Sequence, residues 1–161
     1  MNLDNRACTR PAEDWGLDPL FWVPAKLFVG DLLRALPSAS GSVFFVGNQR
    51  AVRSVELVGV VVSVDARSPK MVAYVGKVHV VDDGTGVILC VHFAAQGDPD
   101  APPRQEHGLG TTVCVEGRLA TFRGERQVVI REMRAVGPNH EVAGWLERLS
   151  LRALLATAPP P

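Results

Sequence analysis

Residues 55–64 read VELVGVVVSV, and six of these ten residues are valine. Valine is enriched in strands because its branched side chain packs well on a pleated surface, so the run predicts one long β-strand. Gly59 stands in its middle and predicts a bend or bulge at which the strand curls into a barrel. Side-chain alternation in this run and in residues 113–119 predicts a set of inward core residues: Val60, Val62, Val113, Val115 and Leu119.

Four further strands are predicted after this run. Two flank the turn DDGTG at residues 82–86, and two flank the turn RGE at residues 123–125. Their predicted bounds are Val72 to Val81, Val87 to Phe93, Thr112 to Thr121 and Arg126 to Val136. A loop rich in Pro and Gly, residues 94–110, separates the third strand from the fourth. This is the order of elements in an OB-fold. The predicted fold class is therefore all-β: a closed, antiparallel five-stranded OB-fold barrel with a short N-terminal helix and a C-terminal helix.

The segments beside the barrel are predicted from spacing and from helix breakers. Leu32, Leu33 and Leu36 stand at helical spacing, and Pro37 ends that short helix. Asn139 supplies an N-cap for the second helix. The predicted organisation is a disordered lead-in over 1–14, an extension packing on the barrel over 15–50, the barrel over 51–137, a partner-docking helix over 138–156 and a tail over 157–161.

The charge balance limits how this chain could bind nucleic acid. Its 161 residues include 17 Lys and Arg against 17 Asp and Glu, so the net charge is zero. A protein that binds nucleic acid tightly on its own usually has a basic surplus, because phosphate neutralisation supplies most of the affinity. Any DNA contact is therefore expected from a local patch or from a site shared with partners. No secretory signal and no membrane-spanning stretch is visible, which predicts an intracellular protein.

No catalytic or metal-binding pattern is visible. Cys8, Cys90 and Cys114 lie far apart without the paired spacing of a zinc site, which predicts buried thiols. Asp82 and Asp83 are interpreted as turn formers rather than metal ligands. No nucleophile is paired with a base, and no Gly-rich phosphate loop precedes a helix. The sequence therefore predicts neither an enzyme nor a bound cofactor or metal.

The predicted C-terminal helix carries more apolar surface than one contact requires. A second flank, at Leu151, Leu154 and Leu155, is expected to be free and therefore to meet a partner, since exposed it would be an association liability. Gly144 is expected to let a partner helix approach closely. The alternative is that the whole helix packs on its own barrel. The predicted partner-docking residues are Val142, Trp145, Leu146, Leu149, Leu151 and Leu155.

Several motifs resemble one family. WGLDP at residues 15–19, followed by AKL at 25–27, is similar to the N-terminus of animal Stn subunits of the CST (Ctc–Stn–Ten) telomere complex. VDDGTGVI at 81–88 and VEGR at 115–118 are similar to that family's barrel strands, and the family is kin to the middle subunit of replication protein A. The resemblance implies a nuclear protein at chromosome telomeres that contacts single-stranded DNA. Its implied partners are a Ten-like small OB subunit, a large Ctc-like subunit and DNA polymerase α–primase, whose fill-in synthesis it would support.

Aromatic and basic residues give the expected DNA-binding site. Phe93 and Phe122 match positions at which relatives of the family place an aromatic that stacks on bases. Alternation puts Phe122 on the outward side of its strand with Arg118. Residues 118–134 hold five arginines against two glutamates, so Arg118 and Arg123 are expected to contact phosphate. The alternative is that both phenylalanines close the barrel ends and that the arginines form an ordinary solvated face.

The second strand is expected to add two residues to the same groove. Lys77 and His79 alternate with Val78 and Val80, which are expected to point inward. The leading interpretation is thus a non-enzymatic subunit that binds single-stranded DNA within a larger assembly. A pure protein adaptor is the alternative that zero net charge favours. A small nucleic-acid enzyme or an anticodon-binding module is a third, which the missing catalytic residues disfavour.

Overall fold

The computed structural model describes residues 10–65, 75–93 and 107–157. Two short 3₁₀ helices, Ala12–Leu17 and Pro19–Phe21, precede the strands. Both predicted helices are present, as α1, Val29–Arg34, and α2, Pro138–Thr157. Helix α1 ends before Leu36, which lies in a strand instead, and α2 begins at Pro138, so Asn139 lies inside it rather than at its N-cap. The strands are β1 (Ala25–Lys26), β2 (Leu36–Pro37), β3 (Phe44–Val46), β4 (Arg50–Val52), β5 (Ser54–Asp65), β6 (Val75–Asp82), β7 (Val87–Phe93), β8 (Thr112–Phe122) and β9 (Glu125–Ala135).

Five of these strands close into a barrel, which confirms the predicted OB-fold. Their order is β5-β6-β7-β9-β8, and β5 pairs with both β6 and β8. The expectation of antiparallel pairing throughout is wrong, because β7 and β9 run parallel. A closed ring with an odd number of strands cannot alternate direction at every step, so at least one pair must be parallel.

The inward face of β5 is the opposite of the predicted one. Val55, Leu57 and Val61 are buried, whereas Val60 is half-buried and Val62 is exposed. The predicted inward positions on β8, by contrast, are all buried: Val113, Val115 and Leu119. Strand β5 carries valine on both faces, so its residue types give no alternation from which the inward side could be read.

Gly59 marks the place where β5 passes from one neighbour to the other. A Cβ at Gly59 would lie 2.5 Å from the carbonyl oxygen of Asp82, closer than a side chain can approach. The register shift itself falls two residues later, between Val61 and Ser63. The predicted irregularity is therefore present, and Gly59 supplies the close approach of two backbones rather than the bulge.

The DDGTG turn fastens the N-terminal extension to the barrel. Asp82 Oδ1 accepts the Gly84 N–H at 2.7 Å and Asp83 Oδ1 accepts the Thr85 N–H at 2.9 Å, as expected of Asx turns. Asp83 Oδ2 also accepts the N–H of Val29, at 2.7 Å, in the first turn of α1. The Asp83 carboxylate thus caps α1 as well as its own turn.

The N-terminal extension builds a small second core of its own. Strands β2, β3 and β4 form an antiparallel sheet, and Phe45 and Ala51 of this sheet, with Val43, pack against Trp15 and Phe21. The Asp18 carboxylate is buried and paired with the guanidinium of Arg50, which lies in β4. The predicted lead-in lies outside the described residues up to position 9, and Ala12–Leu17 is helical rather than disordered.

Candidate nucleic-acid and partner interfaces

The hairpin between β8 and β9 presents an aromatic ring and a guanidinium together. Phe122 ends β8 with 49% of its surface exposed. The next two residues, Arg123 and Gly124, have φ values of 51° and 82°, as the tight type I′ turn between twisted strands requires. The Arg123 guanidinium carbon lies 5.3 Å from the centroid of the Phe122 ring. The structure therefore places Phe122 outward, beside a cation.

The five arginines of residues 118–134 have different surroundings. Arg131 pairs with Glu116, and Arg134 lies beside the Cys114 sulfur at 3.7 Å. Arg126 donates to the Ala35 carbonyl at 2.6 Å, and its partial burial lowers its pKa. Arg118 and Arg123 are exposed, and neither has a carboxylate partner within the described ranges. These two remain available to phosphate.

Strand β6, the second strand of the barrel, does not place both Lys77 and His79 in an open groove as its alternation predicts. His79 is 3% exposed and lies opposite the buried Cys90, so the expectation that it faces an open groove is wrong. His79 lies two residues before the fully buried Val81 and therefore on the same face of β6. Lys77 is half-buried on this strand. Phe93 ends β7 opposite Val75, and its side chain lies outside the described part of the structure.

The buried cysteines offer no reactive thiol. Burial raises the pKa of Cys90 to about 12. Burial, reinforced by the charge of Glu56, raises the pKa of Cys114 to about 11. In the described ranges no group of three His, Cys, Asp or Glu side chains could hold a metal ion. None of the described helices is long and apolar enough to cross a membrane.

Helix α2 is held on the barrel by a buried arginine. Arg148 is 1% exposed, and its Nε donates to the Leu27 carbonyl at 3.2 Å. Its Nη2 donates to the Glu56 carbonyl at 3.1 Å, and its Nη1 to the Gly144 carbonyl at 2.8 Å. A Cβ at Gly144 would lie 2.7 Å from that Nη1. Gly144 therefore makes room for the chain's own arginine, and the expectation that it admits a partner helix is wrong.

The end of α2 is fixed at a second point. Leu155 is 3% exposed and belongs to the barrel core, and Leu151 packs against that core. The Leu155 carbonyl also accepts the N–H of Asn48, at 3.2 Å, from the turn between β3 and β4. The expectation that Leu151 and Leu155 form the free flank of the helix is therefore wrong.

The free face of α2 is the other apolar stripe. Leu146 is 61% exposed and Leu149 is 49% exposed, and Val142 is exposed one turn earlier. Trp145 borders this stripe, with its ring edge-to-face on Phe28 at a centroid distance of 5.1 Å. Only one side of α2 therefore packs on the barrel, and the alternative that the whole helix does so is wrong. We refer to Val142, Trp145, Leu146 and Leu149 as the outer face of α2.

Comparison with known proteins places the fold and this helix in one family. The family model described as Telomere regulation protein Stn1 matches residues 28–159, from α1 through α2. The chain belongs to the Stn1 family. CST complex subunit STN1 of Ailuropoda melanoleuca is 40% identical over 167 residues, covering 88% of this Stn1-family chain and 44% of the relative. The Arabidopsis thaliana subunit is 32% identical, covering 79% of this chain and 88% of the relative.

Solved structures agree on the fold of this Stn1-family chain. The S. pombe Stn1–Ten1 complex includes a chain that matches with a TM-score of 0.68 and 21% identity, covering 82% of this chain and 93% of that one. A replication protein A heterotrimer bound to single-stranded DNA matches with a TM-score of 0.66 and 21% identity, covering 83% and 98%. This chain spans less than half the length of the animal relatives that it matches.

Proposed function

We propose that this chain is a non-enzymatic subunit of a CST-type telomere complex and docks a small Ten-like OB subunit through the outer face of α2. The observation that carries this proposal is the exposure of that face on a helix already fixed to the barrel by Arg148. The side of α2 that faces the barrel is already covered by contacts within the chain. Leu146 and Leu149 therefore remain for a second protein.

The chemistry of the outer face is that of a protein interface. Three aliphatic side chains adjoin Trp145, and tryptophan is among the residues most enriched as interface anchors. A contiguous exposed apolar patch on a helix is otherwise an association liability. The relatives' name, CST complex subunit, and the Stn1–Ten1 composition of a matching structure favour a Ten-like partner. A Ctc-like subunit, polymerase α–primase, and a nuclear, telomeric location belong to the same proposal.

Single-stranded DNA contact is the second part of the proposed function. Phe122 offers an exposed ring for stacking on a base, and Arg118 and Arg123 offer cations that no described carboxylate neutralises. OB-folds hold single strands by this combination of aromatic stacking and backbone charge. Because the net charge is zero, we expect modest affinity that falls with salt. Phe93 and Lys77 remain predicted contributors, and the buried His79 is not proposed as a direct contact.

We expect Phe122→Ala to weaken binding of single-stranded DNA by about 1–3 kcal/mol, because one stacking platform is removed. Fluorescence anisotropy with a labelled oligothymidine, using the isolated chain and its complex with a Ten-like subunit, measures the effect. Phe122→Tyr is the matched control, because it retains the ring and should bind as the wild type does. Equal binding by the wild type and by Phe122→Ala would show that Phe122 does not stack on a base.

We expect Arg118→Gln and Arg123→Asn each to reduce the slope of log affinity against log salt by about 0.7, the contribution of one phosphate contact on a single strand. Asn tolerates the positive φ of position 123, so the turn should be retained and a thermal melt unchanged or slightly raised. Arg131→Gln is the control, because Arg131 is already paired with Glu116. If Arg131→Gln lowers the salt slope as much as Arg118→Gln does, the result contradicts a local phosphate site.

A pure protein adaptor is the competing function, and the exposed outer face of α2 favours it as well. The two functions differ in one measurement, the affinity of the wild-type chain with its Ten-like partner for single-stranded DNA at low salt. Binding that falls with salt supports the DNA-handling subunit. If the chain captures its Ten-like partner but binds no single-stranded DNA at any salt concentration, the result supports the pure protein adaptor.

A further inference from the structure

One large aromatic side chain of the N-terminal extension lies outside both cores. Trp22 is 66% exposed and follows the second 3₁₀ helix. Its orientation is nevertheless fixed, because its Nε1 donates to the Gly16 carbonyl at 2.8 Å. Its ring also meets the Phe21 ring edge-to-face at a centroid distance of 5.1 Å. A fixed indole loses little further freedom when a ligand stacks on it, which favours binding.

A cation adjoins this pair of rings. The Arg53 guanidinium carbon lies 5.1 Å from the centroid of the Phe21 ring, and the Arg53 side chain is exposed. In the part of the chain that the structure describes, Arg53 has no carboxylate partner. Asp18, three residues before Phe21, is buried and paired with Arg50. The surface is therefore aromatic and positively charged.

The same surface adjoins the strand that carries the proposed DNA contacts. The Arg53 carbonyl accepts the Leu119 N–H at 3.3 Å, and Ser54 pairs with Arg118. Phe122 lies three residues beyond Leu119 on β8, about 10 Å along the strand. Arg53 is thus level with Leu119, between Phe122 and Arg118 along β8. An extended strand that leaves Phe122 and follows β8 reaches the level of Arg53 and then that of Arg118.

We propose that Phe21, Trp22 and Arg53, which we name the Trp22 platform, are a second stacking site for single-stranded nucleic acid. This proposal rests on the proposed DNA contact at Phe122 and extends it. One base stacks on the indole of Trp22, Phe21 holds that ring from behind, and Arg53 and Arg118 bind the phosphates between the two stacking sites. The charge of the surface selects a polyanion over an apolar protein partner.

The separation of the two aromatic sites provides the test. An oligothymidine of about 4 nucleotides fits one stacking site, whereas one of about 16 nucleotides is long enough to follow β8 and reach both. In the full chain, we expect Trp22→Ala to weaken binding of the long oligonucleotide by about 5- to 150-fold. Binding of the short one should change much less. Arg53→Gln should lower the salt slope for the long oligonucleotide by about 0.7.

Two control variants isolate stacking from folding and from general apolarity. Trp22→Phe retains an aromatic ring, so affinity should be largely kept while most of the quenching of tryptophan fluorescence by the long oligonucleotide is lost. Leu17→Ala removes a residue of the same segment with the same exposed fraction, 66%, and should leave binding unchanged. Thermal melts of all variants should match that of the wild type, because Trp22 contributes to neither core.

Four outcomes would overturn the proposal. Unchanged affinity of Trp22→Ala for the long oligonucleotide, with Phe122→Ala still impaired, would refute the Trp22 platform and leave the DNA contact at Phe122 standing. Equal impairment by Leu17→Ala would show that stacking is not the cause. Weaker capture of a Ten-like subunit by Trp22→Ala at unchanged DNA affinity would assign the surface to a protein. If the wild type and its complex bind neither oligonucleotide, the proposed DNA contact and the Trp22 platform fail together.

Discussion

Asp18→Ala should destabilise the fold by about 3–5 kcal/mol, the usual cost of removing one partner of a buried ion pair. Arg50 is 8% exposed, and its Nη2 donates to Asp18 Oδ1 at 2.8 Å. The variant leaves that guanidinium buried without a counter-charge. It also removes the side-chain acceptor of the Leu20 N–H, a bond of 3.0 Å that caps the second 3₁₀ helix. Urea unfolding followed by circular dichroism measures the change.

The same pair makes stability depend on pH in a known direction. Burial alone would raise the pKa of Asp18, but the hydrogen bonds from Arg50 and from the Leu20 N–H, with the charge of Arg50, hold that pKa below its ordinary value. A carboxyl whose pKa is lower in the folded state stabilises the fold above its unfolded pKa, about 3.9, and loses that contribution as the pH falls through the folded pKa. The difference in unfolding free energy between the wild type and Asp18→Ala should therefore be constant near neutral pH and shrink below about pH 4.

A double variant separates the ion pair from simple packing. Asp18→Leu with Arg50→Met removes both charges and fills similar volume, so it should be more stable than Asp18→Ala. Arg34→Gln is the control at an exposed ion pair, with Asp31, and should cost no more than about 1 kcal/mol. If Asp18→Ala unfolds at the same urea concentration as the wild type, the ion pair is not buried in solution.

The elements that the sequence predicts well are those with one buried face and a clear turn. Strand β7 has the predicted bounds, Val87–Phe93, because turn residues precede it and its apolar run is short. Strands β8 and β9 agree to within one residue, since the turn at Arg123-Gly124 sets their register. The outward position of Phe122 follows from the same alternation.

The failures have one physical cause, which is that residue type does not reveal which of two apolar faces is covered. On β5 valine occupies both faces, and pairing with two neighbours decides which is inward. On β6 valines on opposite faces, Val78 and Val81, are both buried, and His79 lies on the face of Val81. On α2 a charged residue, Arg148, faces the barrel because the carbonyls of Leu27 and Glu56 and the Glu56 carboxylate satisfy it. None of these partners is near in sequence, so local pattern could not find them.

The largest effect on assembly is expected from charges on the outer face of α2. Leu146→Glu with Leu149→Glu should abolish capture of a Ten-like subunit, since residues near the centre of an interface each contribute about 2 kcal/mol or more and a buried unpaired carboxylate adds to the loss. The isolated chain should melt as the wild type does, because both leucines are about half exposed or more. Pull-down and analytical ultracentrifugation measure capture, and circular dichroism measures the melt.

The same substitution on two other leucines of α2 shows whether the outer face is responsible. Leu154 is about as exposed as Leu149, 51% against 49%, but lies five residues further along the helix and therefore about 140° around it. Leu154→Glu should retain both the melt and the partner. Leu155→Glu places a carboxylate in the barrel core and should unfold the isolated chain. Loss of the partner by Leu154→Glu would place docking on another side of α2, and unfolding by Leu146→Glu with Leu149→Glu would show that the outer face belongs to the chain's own core.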